Sequence, residues 1–211
     1  TLNGPGKPEP EETRQSITRH NSPDVMDWND LSNNKFDLLG LDGKYLQLIG
    51  EACKPTSLFI YGPGGSGKST LTMKLSYYLA KKGNKVLYVA GEQFGTPVFI
   101  KFLNRLGIKP HSNLTIVRNL SALNIQNFDV VVLDSKDSLN ITDVDFKEMQ
   151  AKYPKQSFVI LSQGTKSGNF TGSEKWRNLV DTMIYCENLV AYTSGDKNRW
   201  GGKGSMRVDA Q

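Results

Sequence analysis

The run Gly62-Pro63-Gly64-Gly65-Ser66-Gly67-Lys68-Ser69 constrains this chain more than any other feature in it. It fits the spacing G-x-x-x-x-G-K-[ST]. The residue types follow from what such a loop must do. Glycines let successive backbone N–H groups turn inward around an anion, where a Cβ would obstruct them. A helix that starts at the lysine presents its positive end to the same anion. Lys68 is then placed for the β- and γ-phosphates of a nucleotide, and the Ser69 hydroxyl for a Mg²⁺ ion. The flanks agree. Residues 57–61 are a short apolar run, and residues 68–82 carry Leu71, Leu75 and Leu79 at helical spacing, with Gly83 as a stop. Strand, loop and helix are expected in that order, with Thr70 of the first helical turn completing the nucleotide site.

The rest of the chain alternates in the same way. Residues 86–90, 114–117, 130–133, 158–161 and 183–186 read as strands. Thr96 and Pro97 have the form of an N-cap and first helical residue, opening a helix that ends at Gly107. Thr142 caps a helix over residues 142–152 with Asp143 and Asp145 in its first turn, and residues 173–180 read as a further helix. The tail from Val190 reads as strand, glycine-rich turn, strand, with Gly201, Gly202 and Gly204 making the turn permissive. Apolar strands interleaved with helices predict an α/β fold, a mostly parallel sheet with helices on both faces. Ahead of this core, residues 1–24 are rich in Pro, Gly and Glu and read as a disordered or loosely attached arm. Residues 25–56 form a lead-in segment that packs on the core, with Leu41, Tyr45, Leu48 and Ile49 on one helical face. The core itself is expected over residues 57–211.

Two acids fall where chemistry needs them. Asp134 ends the run Val130-Val131-Val132-Leu133, which places it to hold Mg²⁺ through a water. Many phosphate-loop enzymes put a glutamate directly after this aspartate to orient the attacking water. Here that position is Ser135, and Glu92, which follows the strand at 86–90, is the candidate instead. The alternative for Glu92 is an ordinary exposed loop carboxylate.

Composition narrows the setting. Lys plus Arg number 26 and Asp plus Glu 21, a formal charge of +5 that suits a polyanion partner. In the last third, Lys166, Lys175, Arg177, Lys197, Arg199, Lys203 and Arg207 interleave with Trp176 and Trp200. That pattern fits a nucleic-acid surface; the alternative is a solvated charged face with tryptophans in the core. Cys53 and Cys186 are too few and too far apart for a structural zinc site, and a reducing, cytoplasmic setting is expected. No apolar run approaches the roughly 18 residues that span a bilayer, and no membrane partner is expected.

Several segments, taken in order, resemble one family. Val86-Leu87-Tyr88-Val89-Ala90-Gly91-Glu92 is similar to the "LYVSGEE" segment of the bacterial RadA/Sms recombination ATPases, members of the RecA superfamily. The run from Ser162 to Gly172 resembles their "GHVTKEGxIAG" loop, and Asn178-Leu179-Val180-Asp181-Thr182-Met183 resembles "EHMVDTVL". Lys197-Asn198-Arg199-Trp200-Gly201 resembles the hallmark "KNRFG" motif. The similarity runs from about residue 57 to 208. It implies a RecA-like P-loop core that binds and hydrolyses ATP with Mg²⁺ at the interface of a homo-oligomer. It also implies action on DNA, single-stranded or branched, in recombination, repair or replication. On this resemblance Glu92 is the hydrolytic glutamate and Gln163 the γ-phosphate sensor that relays to a DNA-facing loop. Lys197 and Arg199 contact the neighbour's nucleotide or DNA.

The chain also departs from the family. It shows neither the four-cysteine zinc module ahead of the core nor the protease-like domain behind it. Gln163 stands in place of a histidine, Trp200 in place of a phenylalanine, and the segment between Leu114 and Asp134 is shorter. A reduced relative or an isolated core is expected. Two functions fit: a DNA-stimulated oligomeric ATPase motor, or a nucleotide-dependent loader that recruits a partner such as a helicase. A small-molecule kinase is disfavoured because no arginine-bearing lid segment is evident.

Overall fold

The runs at 57–62, 86–89 and 130–133 are buried on both sides, so each must be covered above and below. The computed structural model describes residues 27–33, 35–164 and 174–209. The chain divides into two units, Thr1–Lys35 and Phe36–Gln211. The described part of the first is the short helix α1 (Trp28–Ser32). The arm expected over residues 1–24 lies outside the described residues.

The second unit runs α2 (Gly43–Ile49), β1 (Ser57–Gly62), α3 (Lys68–Lys81), β2 (Val86–Val89), α4 (Pro97–Arg105), β3 (Leu114–Val117), β4 (Val130–Leu133), α5 (Asp143–Lys152), β5 (Ser157–Gln163), α6 (Lys175–Leu179), β6 (Thr182–Glu187), β7 (Val190–Asn198) and β8 (Ser205–Arg207). The strands form one eight-stranded sheet in the order β3-β2-β4-β5-β1-β6-β7-β8. The six from β3 to β6 are parallel; β7 and β8 are antiparallel additions at one edge.

Alternation along β1 divides the core in two. Leu58 and Ile60 face the layer that holds α2, α3 and α4, where Leu71, Leu75 and Leu79 are buried as their spacing predicts. Phe59 and Tyr61 face the other layer, with Phe146 of α5 and Trp176 of α6. There the Trp176 ring lies 5.3 Å from both Phe59 and Phe146, and Phe146 meets Phe158 edge-on at 5.5 Å.

Local signals hold at the helix starts. The Thr96 hydroxyl accepts the Phe99 N–H at 3.2 Å, with Pro97 as the first helical residue. Thr142 and Asp145 form a reciprocal capping box. The glycines after β7 have a different use from a loose turn. A Cβ on Gly202 would come within 2.5 Å of the Leu48 carbonyl oxygen, and one on Gly204 within 2.9 Å of Gln47. They let the β7–β8 turn pack directly on the backbone of α2, where Lys203 N–H donates to Gln47 O at 3.0 Å.

Candidate nucleotide site

The parallel strands converge their carboxyl ends on one edge of the sheet, and the loop leaving β1 lies there. Its glycines are required by shape at two positions. Gly62 has φ +151°, and a Cβ there would sit 2.0 Å from the Cys186 carbonyl oxygen. Gly67, just ahead of α3, has φ +98°, and a Cβ would meet Val208 Cγ2 at 2.4 Å. Lys68 folds over the loop, its Nζ donating to the carbonyls of Gly62 and Pro63, both at 2.7 Å. Burial lowers the Lys68 pKa, while the charges of Cys186, Asp134 and Asp137 oppose that. Ser66 Oγ is buried with no hydrogen-bond partner. A buried hydroxyl without a partner is uncommon in a folded protein. It is what a cradle for an oxygen-rich group would leave.

Asp134 follows β4. Its N–H donates to Val89 O at 3.0 Å, which fixes it beside the exit of β2. Ser69 Oγ donates to Asp134 Oδ1 at 3.3 Å, and the buried Tyr88 hydroxyl donates to Oδ2. Burial pushes the Asp134 pKa up, against the hydrogen bonds from Tyr88 and Ser69 and the charge of Lys68. The two residues expected to serve a metal are thus in contact. No group of three or more His, Cys, Asp or Glu among the described residues could hold a metal. The donor set suits Mg²⁺, a hard ion that keeps waters and takes much of its coordination from phosphates.

Glu92 and Gln163 complete the edge. Glu92 lies on a single 3-10 turn, Gly91–Gln93, directly after β2, and is exposed. A Cβ on Gly91 would be 3.7 Å from the Asp134 carbonyl oxygen, so the turn rests against the exit of β4. Gln163 ends β5 in register with Gly62, and the next N–H, of Gly164, donates to Gly62 O at 2.8 Å. Four strand ends therefore bring Lys68, Ser69, Asp134, Glu92 and Gln163 to one place.

Lys197 and Arg199 lie at the other end. Asn198 pairs with Thr182, the first residue of β6, and Thr182 is level with Leu58 near the start of β1. From Leu58 to Gly62 the strand rises about 13 Å at ~3.3 Å per residue. That is further than a lysine or arginine side chain spans. The two do not share a strand face, because Arg199 lies past the end of β7. Its Nη1 donates to Asp181 Oδ1 at 2.9 Å and its N–H to Asp181 O at 3.0 Å. Asp181 Oδ2 in turn accepts Ser57 N–H at 2.9 Å. The Lys197 side chain makes no hydrogen bond or ion pair with the described residues.

Within the basic stretch the two tryptophans pack on the core rather than standing beside the cations. Trp176 is 2% exposed, a core residue, and the Trp200 indole N–H donates to Thr56 Oγ1 at 2.8 Å. Lys175, Arg177 and Arg207 pair with Asp143, Glu174 and Asp209. Interleaving in sequence therefore does not give interleaving on a surface; Lys166 lies outside the described residues. Sequence reasoning missed Tyr88, Asp137 and Asp181. For Tyr88 a signal existed: a tyrosine in an otherwise aliphatic buried strand needs a partner for its hydroxyl.

No family model matches the chain. It is 26% identical over 203 residues to DNA repair protein RadA of Campylobacter jejuni, covering 85% of this chain and 46% of that protein. To RadA of Aquifex aeolicus it is 28% identical over 209 residues, covering 87% and 46%. To RadA of Bacillus subtilis it is 28% identical over 184 residues, covering 76% and 40%. The chain thus spans less than half the length of these curated relatives. Among solved structures, the flagellar accessory protein FlaH of Methanocaldococcus jannaschii matches with a TM-score of 0.60 and 16% identity, covering 82% of this chain and 92% of that one. No helix among the described residues is long and apolar enough to cross a membrane. The chain is thus similar in sequence to RadA proteins over less than half their length, and it shares with FlaH the fold of a mostly parallel sheet with helices on both faces.

Proposed function

We propose that this chain binds Mg²⁺–ATP at residues 62–70, hydrolyses it, and acts on DNA in repair or recombination. The convergence of Lys68, Ser69, Asp134, Glu92 and Gln163 at one sheet edge carries the reading. Lys68 and the loop N–H groups hold the phosphates; Ser69 and Asp134 hold the metal, Asp134 through water. A bound Mg²⁺ supplies charge neutralisation on the phosphates. Glu92 accepts the proton of the attacking water, and its exposed place on a short turn leaves it free to do so. Gln163 donates to the γ-phosphate region.

Among the described residues, Lys68 is the cation that the phosphate loop itself offers to the developing charge. We assign a second cation to Lys197 of a neighbouring copy, since its own phosphate loop is out of reach and its side chain has no hydrogen-bond or ion-pair partner among the described residues. Arg199, tied to Asp181, holds the motif in place. The DNA role rests on the RadA relatives, whose names give DNA repair. The test is ATP binding and turnover with and without single-stranded and branched DNA, in wild type and Lys68→Ala. Binding lost in Lys68→Ala and turnover raised by DNA are expected. Binding with slow, DNA-independent turnover would favour the loader; equal binding by both proteins would overturn the site.

A further inference from the structure

Leaving β4, the chain reads Asp134-Ser135-Lys136-Asp137-Ser138. In sequence this looks like a polar surface turn, yet Lys136 is 6% exposed. An ammonium is among the costliest groups to bury unless it is well partnered. Lys136 Nζ reaches Asp137 Oδ1 at 2.6 Å and lies 5.6 Å over the ring of buried Trp176. Its backbone N–H donates to Leu161 O at 2.8 Å, which fastens it to β5. The other oxygen of Asp137 is turned toward the nucleotide edge. Oδ2 accepts the Gln163 N–H at 2.8 Å and the Ser162 hydroxyl at 3.4 Å. One residue further on, Gly164 N–H bonds to Gly62 at the start of the phosphate loop.

A single carboxylate thus joins the tip of β5 to a buried cation, and that cation rests on the first turn of α6. Residues 164–174 connect β5 to α6, so the pair grips the chain on both flanks of that connection: Gln163 before it, Trp176 after it. An aliphatic side chain at 136 would pack against Trp176 without any desolvation penalty, and stability alone gives no reason for a lysine.

We propose that Asp137 and Lys136 are positioning residues that hold Gln163 for the nucleotide and couple it to α6. Neither touches the reacting atoms. The inference rests on the nucleotide reading above, and the experiment separates the two. Wild type, Lys136→Met and Asp137→Asn are compared by ATP kinetics and by amide hydrogen exchange with and without ATP. Met keeps the packing on Trp176, and Glu at 137 is the conservative rescue. In wild type, ATP slows exchange in peptides covering the phosphate loop, Gln163 and Trp176. In both variants the phosphate-loop protection and KM persist, while protection at Gln163 and Trp176 is lost and kcat falls about tenfold or more, as loss of a charge-assisted contact implies. Asp137→Glu restores part of both. Variants that keep kcat and the full exchange pattern overturn the inference alone. So does a fall in kcat that only tracks the fraction folded. Absence of phosphate-loop protection in wild type overturns the nucleotide reading, and this inference with it.

Discussion

Replacing Arg199 by alanine should separate anchoring from catalysis at the far end of the sheet. The substitution removes the bond from Nη1 to Asp181 Oδ1 at 2.9 Å and leaves the backbone bond to Asp181 O intact. The Asp181 side chain is 19% exposed and keeps two other donors, Ser57 N–H and Thr56 Oγ1. The Arg199 side chain is 59% exposed. A charge-assisted bond in a dry site is worth about 1.5–3 kcal/mol, and an exposed ion pair about 0–1. A pair with one wet partner falls between, at about 1 kcal/mol. For a domain of this size that is about 2–4 °C in the unfolding midpoint. Lys197→Ala removes a side chain with no ion pair or hydrogen bond among the described residues and should stay within about 0.5 kcal/mol of wild type. The assay is thermal unfolding of the two variants in low and high salt, beside their ATPase rates. Arg199→Ala should melt earlier, more so at low salt, and Lys197→Ala should lose rate without melting earlier. Equal midpoints for Arg199→Ala and wild type, or an early-melting Lys197→Ala, would refute the division of roles.

Two further outcomes follow from the nucleotide edge. Glu92→Gln should bind ATP as wild type does and lose about 10²–10⁴ in turnover, the range for a missing general base; weak binding with normal turnover at saturation would contradict the role. Burial raises the Asp134 pKa above the ordinary 3.8, so the fold holds its proton more tightly than the unfolded chain does. Its contribution to stability is present below that value and is lost as pH rises through the raised one. Asp134→Asn should flatten this part of the stability–pH profile and weaken the gain in nucleotide affinity from Mg²⁺ about tenfold or more. An unchanged profile with unchanged Mg²⁺ dependence would remove Asp134 from the site.

A structural feature is legible in the sequence when its cause is local. The strands at 86–89 and 130–133 are visible because burial on both faces needs apolar runs. The caps at Thr96 and Thr142 are visible because a hydroxyl three residues ahead of an orphan N–H is a local arrangement. The phosphate loop is legible for the same reason. Trp176 and Trp200 mislead because their neighbours in sequence are cations, whereas their neighbours in space are Phe59, Phe146 and Thr56. The Lys136–Asp137 pair is hidden because its meaning lies in β5 and α6, more than twenty residues away. The packing role of Gly202 and Gly204 depends on α2, about 150 residues earlier.

On the reading proposed above, one copy's phosphate loop is completed by another copy's Lys197. Subunit mixing tests it most directly. Lys68→Ala and Lys197→Ala are each assayed alone and then combined over a range of protein concentrations with DNA present. Each alone should be nearly inactive, since a cation supplied in trans is worth about 10³–10⁵ in rate. The mixture should recover activity that rises with concentration, because some interfaces pair an intact loop with an intact lysine. No recovery at any ratio, together with a wild-type specific rate independent of concentration, would contradict the account.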